Sequence, residues 1–540
     1  MVLTTKTIDF SVDTIADLPT DMLADGATCV VAEEARGGVF IYRSSEAATN
    51  DGGTIFNGWH RQFTGPVEVK WFDARGDGVT DDTAAITAAI NAGKGVIFDS
   101  LTYAVTNLSF NRGNVSYIFD NSRFKQISGY TSGEGILNIS SNNISFKNKL
   151  TVYGNIATDT GEWSPAINIE NVQSIIIDEI NAQDIRGDAV YIKASNRVTI
   201  NEIYGNNCYR LVVAITGDSH FIKISNISGD YIGANILVDL EPDDSYISNV
   251  ELTNVKGGIH LIGQTTDNNY IKNFKAANVI YDGTIQNSTP AYPYFSDKAP
   301  IRFRLCDNVI FDNVSISNCE VAAITVPNDA IMYVKGVVFN NLTLTNCYTS
   351  ITDDTRVYLI DGYNGDTSNI DGIVFNNVTV EGSPTGAYTF ANLKNITVNG
   401  GNFNDNLIGY ALYGFSFENI TSSGNVVTDA NRAIFSGIYR GTIKGSYINN
   451  DLNFGSMSYT VVSGCYLEGT EAEPPSSHNI VEMCKINGAT VAFKQYYAGF
   501  NRQNLVMGDY SLWVDADGDL RILNGIPAAD DDGTIVGTQA

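Results

Sequence analysis

The chain has 540 residues, with 33 Lys and Arg against 60 Asp and Glu, a net charge of −27 and a pI near 4.4. That balance excludes a nucleic-acid partner and a peripheral role on anionic membranes, because both need a basic face. With 43% hydrophobic and 17% charged residues the chain can bury a core, and 50 Gly beside 28 Tyr and 25 Phe point to a turn-rich β protein.

Residues 1–65 form a distinct N-terminal segment that carries no repeat and includes the polar stretch TNDGGTIFNGWHRQFTG from Thr49. Its start, MVLTTKTIDF, has neither a basic region nor an apolar run, so no signal peptide is expected. Residues 66–95 follow, with VKWFDARGDGVTDDTAAITAAI from Val69. Asp77 and Gly78 predict a turn, Thr80 or Asp81 can cap a helix, and Thr83 to Ile90 reads as amphipathic helix. Such a helix would close the open end of a repeat array. Turn and capping duty accounts for Asp77, Asp81 and Asp82 better than catalysis does.

Residues 96–500 form the main region, and from about 96 to 465 the sequence repeats itself. VIFDNVSI from Val309, VVFNNLTL from Val337 and IVFNNVTV from Ile373 nearly superimpose, with starts 28 and 36 residues apart. Weaker copies begin at Ile144, Ile175, Val198, Phe221, Val250 and Phe415. Each is a short alternating strand, an Asn-containing turn and a second short strand. Strands at this spacing, with almost no helical periodicity, predict a right-handed parallel β-helix whose stacked coils bury a shared core. A β-sandwich is the rival fold.

A second series of strands carries the candidate chemistry: DAVYIK from Asp188, LVVAIT from Leu211, ILVDLE from Ile236, GIHLIG from Gly258 and IRFRLC from Ile301. Alternation sends Val190, Ile192, Val213, Ile215, Val238, Leu240, Ile259, Leu261, Ile301 and Phe303 inward. The same register turns Tyr191, Lys193, Asp239, Glu241, His260, Arg302 and Arg304 outward. Asp239 and Glu241 stand two residues apart on one strand face, ~6.5–7 Å at the backbone. Side-chain rotamers bring such carboxyls to roughly 5–9 Å, the range of glycosidase pairs. One would protonate the leaving oxygen while the other attacks or activates water. His260 would orient a carboxylate or act as a base, and Arg302 and Arg304 would bind an acidic sugar. Asp184 and Asp188 are weaker rivals. The insertion 281–300, with Tyr281, Tyr292, Tyr294 and Phe295, offers aromatic faces for sugar rings.

Residues 501–540 form a C-terminal β module. Asp515, Asp517 and Asp519 begin like a calcium loop, but Leu520 stands where the loop glycine belongs, so no metal is expected. No cofactor motif occurs. The seven cysteines are odd in number and widely spaced, which predicts buried free thiols.

WFDARGDGVTDDTAAITAAI from Trp71 resembles the opening motif of the pectate-lyase-like β-helix superfamily, as found in bacteriophage tailspikes and polysaccharide depolymerases. MGDYSLWVDADGDLRILNGIPAADDDGTIVGTQA from Met507 resembles a C-terminal segment of phage tail fibres and spikes. RGDAVYI from Arg186 is similar to the Gly-Asp strand of pectin-degrading β-helix enzymes, although the paired Asp of that motif is missing. The resemblance implies a homotrimer on a virion tail, attached to a tail or baseplate protein through its N-terminus. It also implies degradation of a bacterial capsular or O-antigen polysaccharide. Hydrolysis through Asp239 and Glu241 is the first reading. A lyase using Arg302 with His260 or Tyr191 as base, a non-catalytic adhesin and a structural component are the others.

Overall fold

The computed structural model describes residues 9–538 apart from 22, 128–133, 159–163, 231–235, 243–245, 263–269, 285–298, 320, 327–332, 348–357, 363–369, 383–386, 405–406, 411, 424–434, 437, 450–456, 469–478, 487–488, 498–499, 503, 508–509, 515–518 and 525–532. The chain divides into two compact units, one of residues 1–256 with 286–296 and one of 257–285 with 297–540. Among the described residues, no helix is long and apolar enough to cross a membrane.

The first unit opens with a small five-stranded sheet between Phe10 and Arg61. Its core is Cys29, Val31, Phe40, Tyr42, Phe56 and Trp59. Arg61 threads this module, its guanidinium donating to the carbonyls of Gly37, Arg36 and Gly53. Burial pulls its pKa down to about 10. The helix Thr83–Asn91 follows and buries Ile86, Ala89 and Ile90. Its capping differs from the expected pattern. Asp81 Oδ1 accepts the Thr83 N–H at 2.9 Å, whereas Asp82, at the cap position, turns back to the N–H groups of Arg75 and Gly76. Asp77 accepts from the N–H groups of Val79 and Thr80, which holds its carboxyl down at about 2.

Coils then stack in parallel. Short strands Leu108–Phe110, Leu137–Ile139, Ile167–Glu170, Val190–Lys193, Val213–Thr216 and Ile236–Glu241 pair in sequence order. Long strands such as Gln173–Gln183, Asn196–Asn206 and His220–Asp230 form a second parallel sheet. A sandwich would pair its strands antiparallel, so the parallel ladders decide for the β-helix. Crossovers between parallel strands take the right hand.

The second unit repeats the plan. Its short strands run from Gly258–Ile262 and Ile301–Arg304 to Leu407–Tyr410, and its long strands include Cys306–Ser317, Val334–Thr345 and Ile370–Glu381. The three strongest sequence repeats lie in register, Val309 beside Val337 beside Ile373. Their phenylalanines stack inside: Phe311 and Phe339 at 4.7 Å, Phe339 and Phe375 at 5.2 Å. Each long strand bends where an Asn adopts positive φ, as Asn313 (55°), Asn341 (56°) and Asn377 (57°) do. Asn tolerates this left-handed backbone better than branched residues. Each amide then donates to the coil before it, Asn341 to Asn313 at 2.9 Å and Asn377 to Asn341 at 3.1 Å. Successive coils are spaced by as few as 19 residues (Ile396 to Phe415) and as many as 42 (Ile259 to Ile301), yet the corners align. Beyond the last coil the chain turns antiparallel, with Asn479–Ile486 against Ala489–Tyr497 and a four-stranded sheet from Asn504 to Thr538.

All seven cysteines are free and buried. Asp515 and Asp517 lie outside the described residues, and no group of three potential metal ligands occurs among those described.

Candidate active site

The ten inward positions expected on the short strands are all buried, each 0–1% exposed. The intervening positions therefore lie on the outer sheet face, and in-register strands carry them at ~4.8 Å spacing.

In the first unit two columns meet at the carboxylates. One runs Asn138, Asn168, Tyr191, Ala214, Asp239. The other runs Glu170, Lys193, Thr216, Glu241. The first begins as a ladder of amides: Asn138 Nδ2 donates to Asn107 Oδ1 at 2.8 Å and Asn168 Nδ2 to Asn138 Oδ1 at 3.3 Å. Tyr191 packs over the small, buried Ala214, and Thr216 Oγ1 donates to its hydroxyl at 3.0 Å. Thr216 is the register neighbour of Glu241, so a hydroxyl pair stands beside one carboxylate. Lys193 pairs with Glu170 at 3.3 Å. Asp239 is 5% exposed, whereas Glu241 is half-buried. Thr216 was not singled out from the sequence, though alternation in LVVAIT places it on the outer face.

Asp188 is placed differently from its rivals. It precedes the strand and is 1% exposed, Arg210 Nε lies 3.6 Å from its Oδ1, and the Leu211 N–H donates to it at 3.2 Å. Burial pushes the carboxyl up, against the pull of Arg210 and Leu211. This is the setting of a corner brace. Asp184 is another corner, at φ 55°, with Asn207 Nδ2 donating to its Oδ1.

In the second unit His260 and Arg302 are register neighbours, as are Ile262 and Arg304. His260 is fully buried, and its Nε2–H donates to the Ala299 carbonyl at 2.9 Å. Both arginines are half-buried. The column continues from Arg302 through Thr325 to Asp361, a carboxylate the sequence reading passed over although VYLIDG alternates correctly. Asp361 accepts from Asn392 Nδ2 at 2.8 Å. Tyr281, expected in an exposed aromatic loop, instead sits near the end of the strand Tyr270–Asp282 and is buried. Alternation along that strand turns it inward. Tyr292, Tyr294 and Phe295 lie outside the described residues.

Residues 474–538 match the family model described as capsule depolymerase. Among solved structures the chain is similar to open reading frame 18 of Geobacillus virus E2, at 12% identity over 98% of this chain and 89% of that one, with a TM-score of 0.37. It is similar to the tailspike of Acinetobacter baumannii phage AM24, at 14% identity over 75% and 64% of the two chains, with a TM-score of 0.37. A third is the alpha-1,3-glucanase catalytic unit of Streptomyces thermodiastaticus, at 15% identity over 76% and 70%, with a TM-score of 0.38. No curated protein sequence matches. The chain is a parallel β-helix protein whose C-terminal segment matches the capsule depolymerase family, in line with its resemblance to tailspikes and depolymerases of that fold.

Proposed function

We propose that the protein is a phage tailspike that binds a bacterial capsular or O-antigen polysaccharide and cleaves it internally by glycosidic hydrolysis. The observation that carries this reading is the placement of Asp239 and Glu241 on one outer sheet face, beside a hydroxyl pair and in register with a column that begins as an amide ladder. Amides and hydroxyls at strand spacing suit a ligand made of repeating hydroxylated rings. The capsule depolymerase match supports the substrate class.

In the mechanism one carboxyl donates its proton to the glycosidic oxygen as the bond to the anomeric carbon breaks. The other either attacks that carbon or takes a proton from the attacking water. Both products keep saturated rings, and one gains a reducing end. The half-buried Glu241, with Thr216 as its register neighbour, is assigned the acid, and Asp239 the second role. Tyr191, Lys193, Arg302 and Arg304 are assigned to substrate binding. The protein works as a homotrimer, joined to the tail through residues 1–65.

A lyase is the second reading, and the half-buried Arg302 on the outer sheet face favours it. A guanidinium would neutralise a uronate carboxylate while a base removes the neighbouring C–H proton. That reaction leaves an unsaturated, ultraviolet-absorbing uronate, and hydrolysis does not.

The test is a clearing assay on lawns of encapsulated strains with wild type and Glu241→Gln. Loss of clearing by about 10²-fold or more supports the assignment. Clearing that survives moves the acid elsewhere, and a gain in ultraviolet absorbance decides for the lyase. Tight binding of a purified polymer whose length never changes makes the protein an adhesin.

A further inference from the structure

One corner of the long strands recurs on successive coils of the second unit. From Asn308 through Gly336, Gly372 and Asn395 to Gly414 it is always Asn or Gly, at φ 52–74°. The next two coils depart from this. Arg440 and Tyr459 occupy the same corner, both at φ 54°. The left-handed backbone is unfavourable for bulky side chains; Arg197 and Phe221 hold the equivalent corner in the first unit, so what marks Arg440 and Tyr459 is the groove they border.

Both side chains border one open groove of about 480 Å³. Its lining includes Thr397, Ser416 and Thr442, register neighbours on three successive strands. Thr442 Oγ1 donates to Ser416 Oγ at 3.1 Å. Arg440 donates to the Tyr413 hydroxyl at 3.1 Å and lies 5.3 Å from the centre of the Tyr439 ring. Tyr413 stacks on Tyr439 at 5.2 Å, and Tyr439 meets Tyr459 edge-on at 5.1 Å. Tyr459 is 44% exposed and Tyr413 38%. Ser416 Oγ donates in turn to Glu418 Oε1 at 3.4 Å, and Lys444 is the register neighbour of Glu418.

A row of hydroxyls at strand spacing matches a ligand that carries hydroxyls at regular intervals. Aromatic rings pack on the C–H faces of sugar rings, and a guanidinium steadied by tyrosines grips a carboxylate with two N–H groups. We propose that this groove is a second, non-catalytic polysaccharide site, in which Arg440 and Tyr459 hold a carboxylate-bearing glycan chain. It lies on the long-strand sheet, whereas Arg302 and Arg304 lie on the short-strand sheet. The inference rests on the depolymerase reading and deepens it, because a second grip would keep the polymer bound between cleavages.

The test uses the full-length protein and an Arg440→Gly/Tyr459→Gly variant. Glycine suits the corner, so the variant is expected to melt at or above the wild-type temperature. Binding is measured by affinity electrophoresis in a panel of purified acidic capsular polysaccharides, and cutting by loss of viscosity. Glu241→Gln is the control that keeps binding and loses cutting. About tenfold weaker binding by the glycine variant, with melting preserved, is the expected result. Equal binding overturns the groove and leaves the depolymerase reading standing. A changed oligomeric mass in light scattering makes the groove a contact between copies and overturns the proposal. Wild type that neither binds nor shortens any polymer overturns the depolymerase reading and the groove with it.

Discussion

Tyr191 and Asp188 sit three residues apart in the sequence and do different work. Tyr191 reaches across Ala214 to Thr216, beside Glu241, so under the proposed assignment removing its hydroxyl bears on cleavage rather than on the fold. Tyr191→Phe is expected to lower kcat/KM on the cleaved polymer by about tenfold with an unchanged melting temperature. Asp188→Asn instead removes the carboxylate that faces the buried Arg210, and urea unfolding should show a loss of ~1–3 kcal/mol. The sequence displayed the Gly-Asp motif but not its partner, which arrives only with the next coil. His260 makes the same point. Its outward register followed from alternation, but alternation showed neither its complete burial nor its bond to the Ala299 carbonyl. Asp77 gives the pH prediction. Its carboxyl titrates at about 2 in the folded chain against 3.8 ordinarily, so it stabilises the turn above pH 3.8 and loses that effect as pH falls through 2. The melting difference between wild type and Asp77→Ala should be full at neutral pH and shrink through that window.

At the scale of elements, the corner asparagines and the cap helix define the coil. Asn341 both accepts the left-handed backbone and links the coils on either side. Asn341→Ala gives up the amide bonds and puts a less tolerant residue at positive φ, for an expected loss of ~2–3 kcal/mol. Asn341→Gly keeps the backbone and should lose less, and urea melts of the two variants separate the contributions. The repeat VIFDNVSI, VVFNNLTL and IVFNNVTV made this geometry legible, because the Phe and the Asn recur at the same place in each copy. The capping of Thr83–Asn91 was legible only in part. Three neighbouring aspartates are equivalent by composition, and only the fold of the preceding loop sends Asp82 back to Arg75 and Gly76. The antiparallel turn after Asn479 carries no repeat and was not foreseen.

Over the whole molecule, a charge of −27 repels the acidic polymer that the arginines are assigned to hold. Raising salt from about 0.01 M to 0.15 M shortens the screening length from roughly 30 to 8 Å, so KM for an acidic polysaccharide should fall over that range. A rise would mean that the local cations govern encounter. The aligned corners, set beside coils of 19 to 42 residues, carry a further meaning. Backbone bonds and Asn amides join each coil to the next at fixed points, and the connecting turns close between those points. Loop closure grows only logarithmically with length, by about 0.6 kcal/mol per doubling, so a turn can be lengthened or exchanged at small expense to stability. Such a scaffold separates the part that must stay the same from the part that meets a changing surface. Under the proposed tailspike role, a virus facing hosts that rewrite their coats could trade turns between relatives and keep the spine intact.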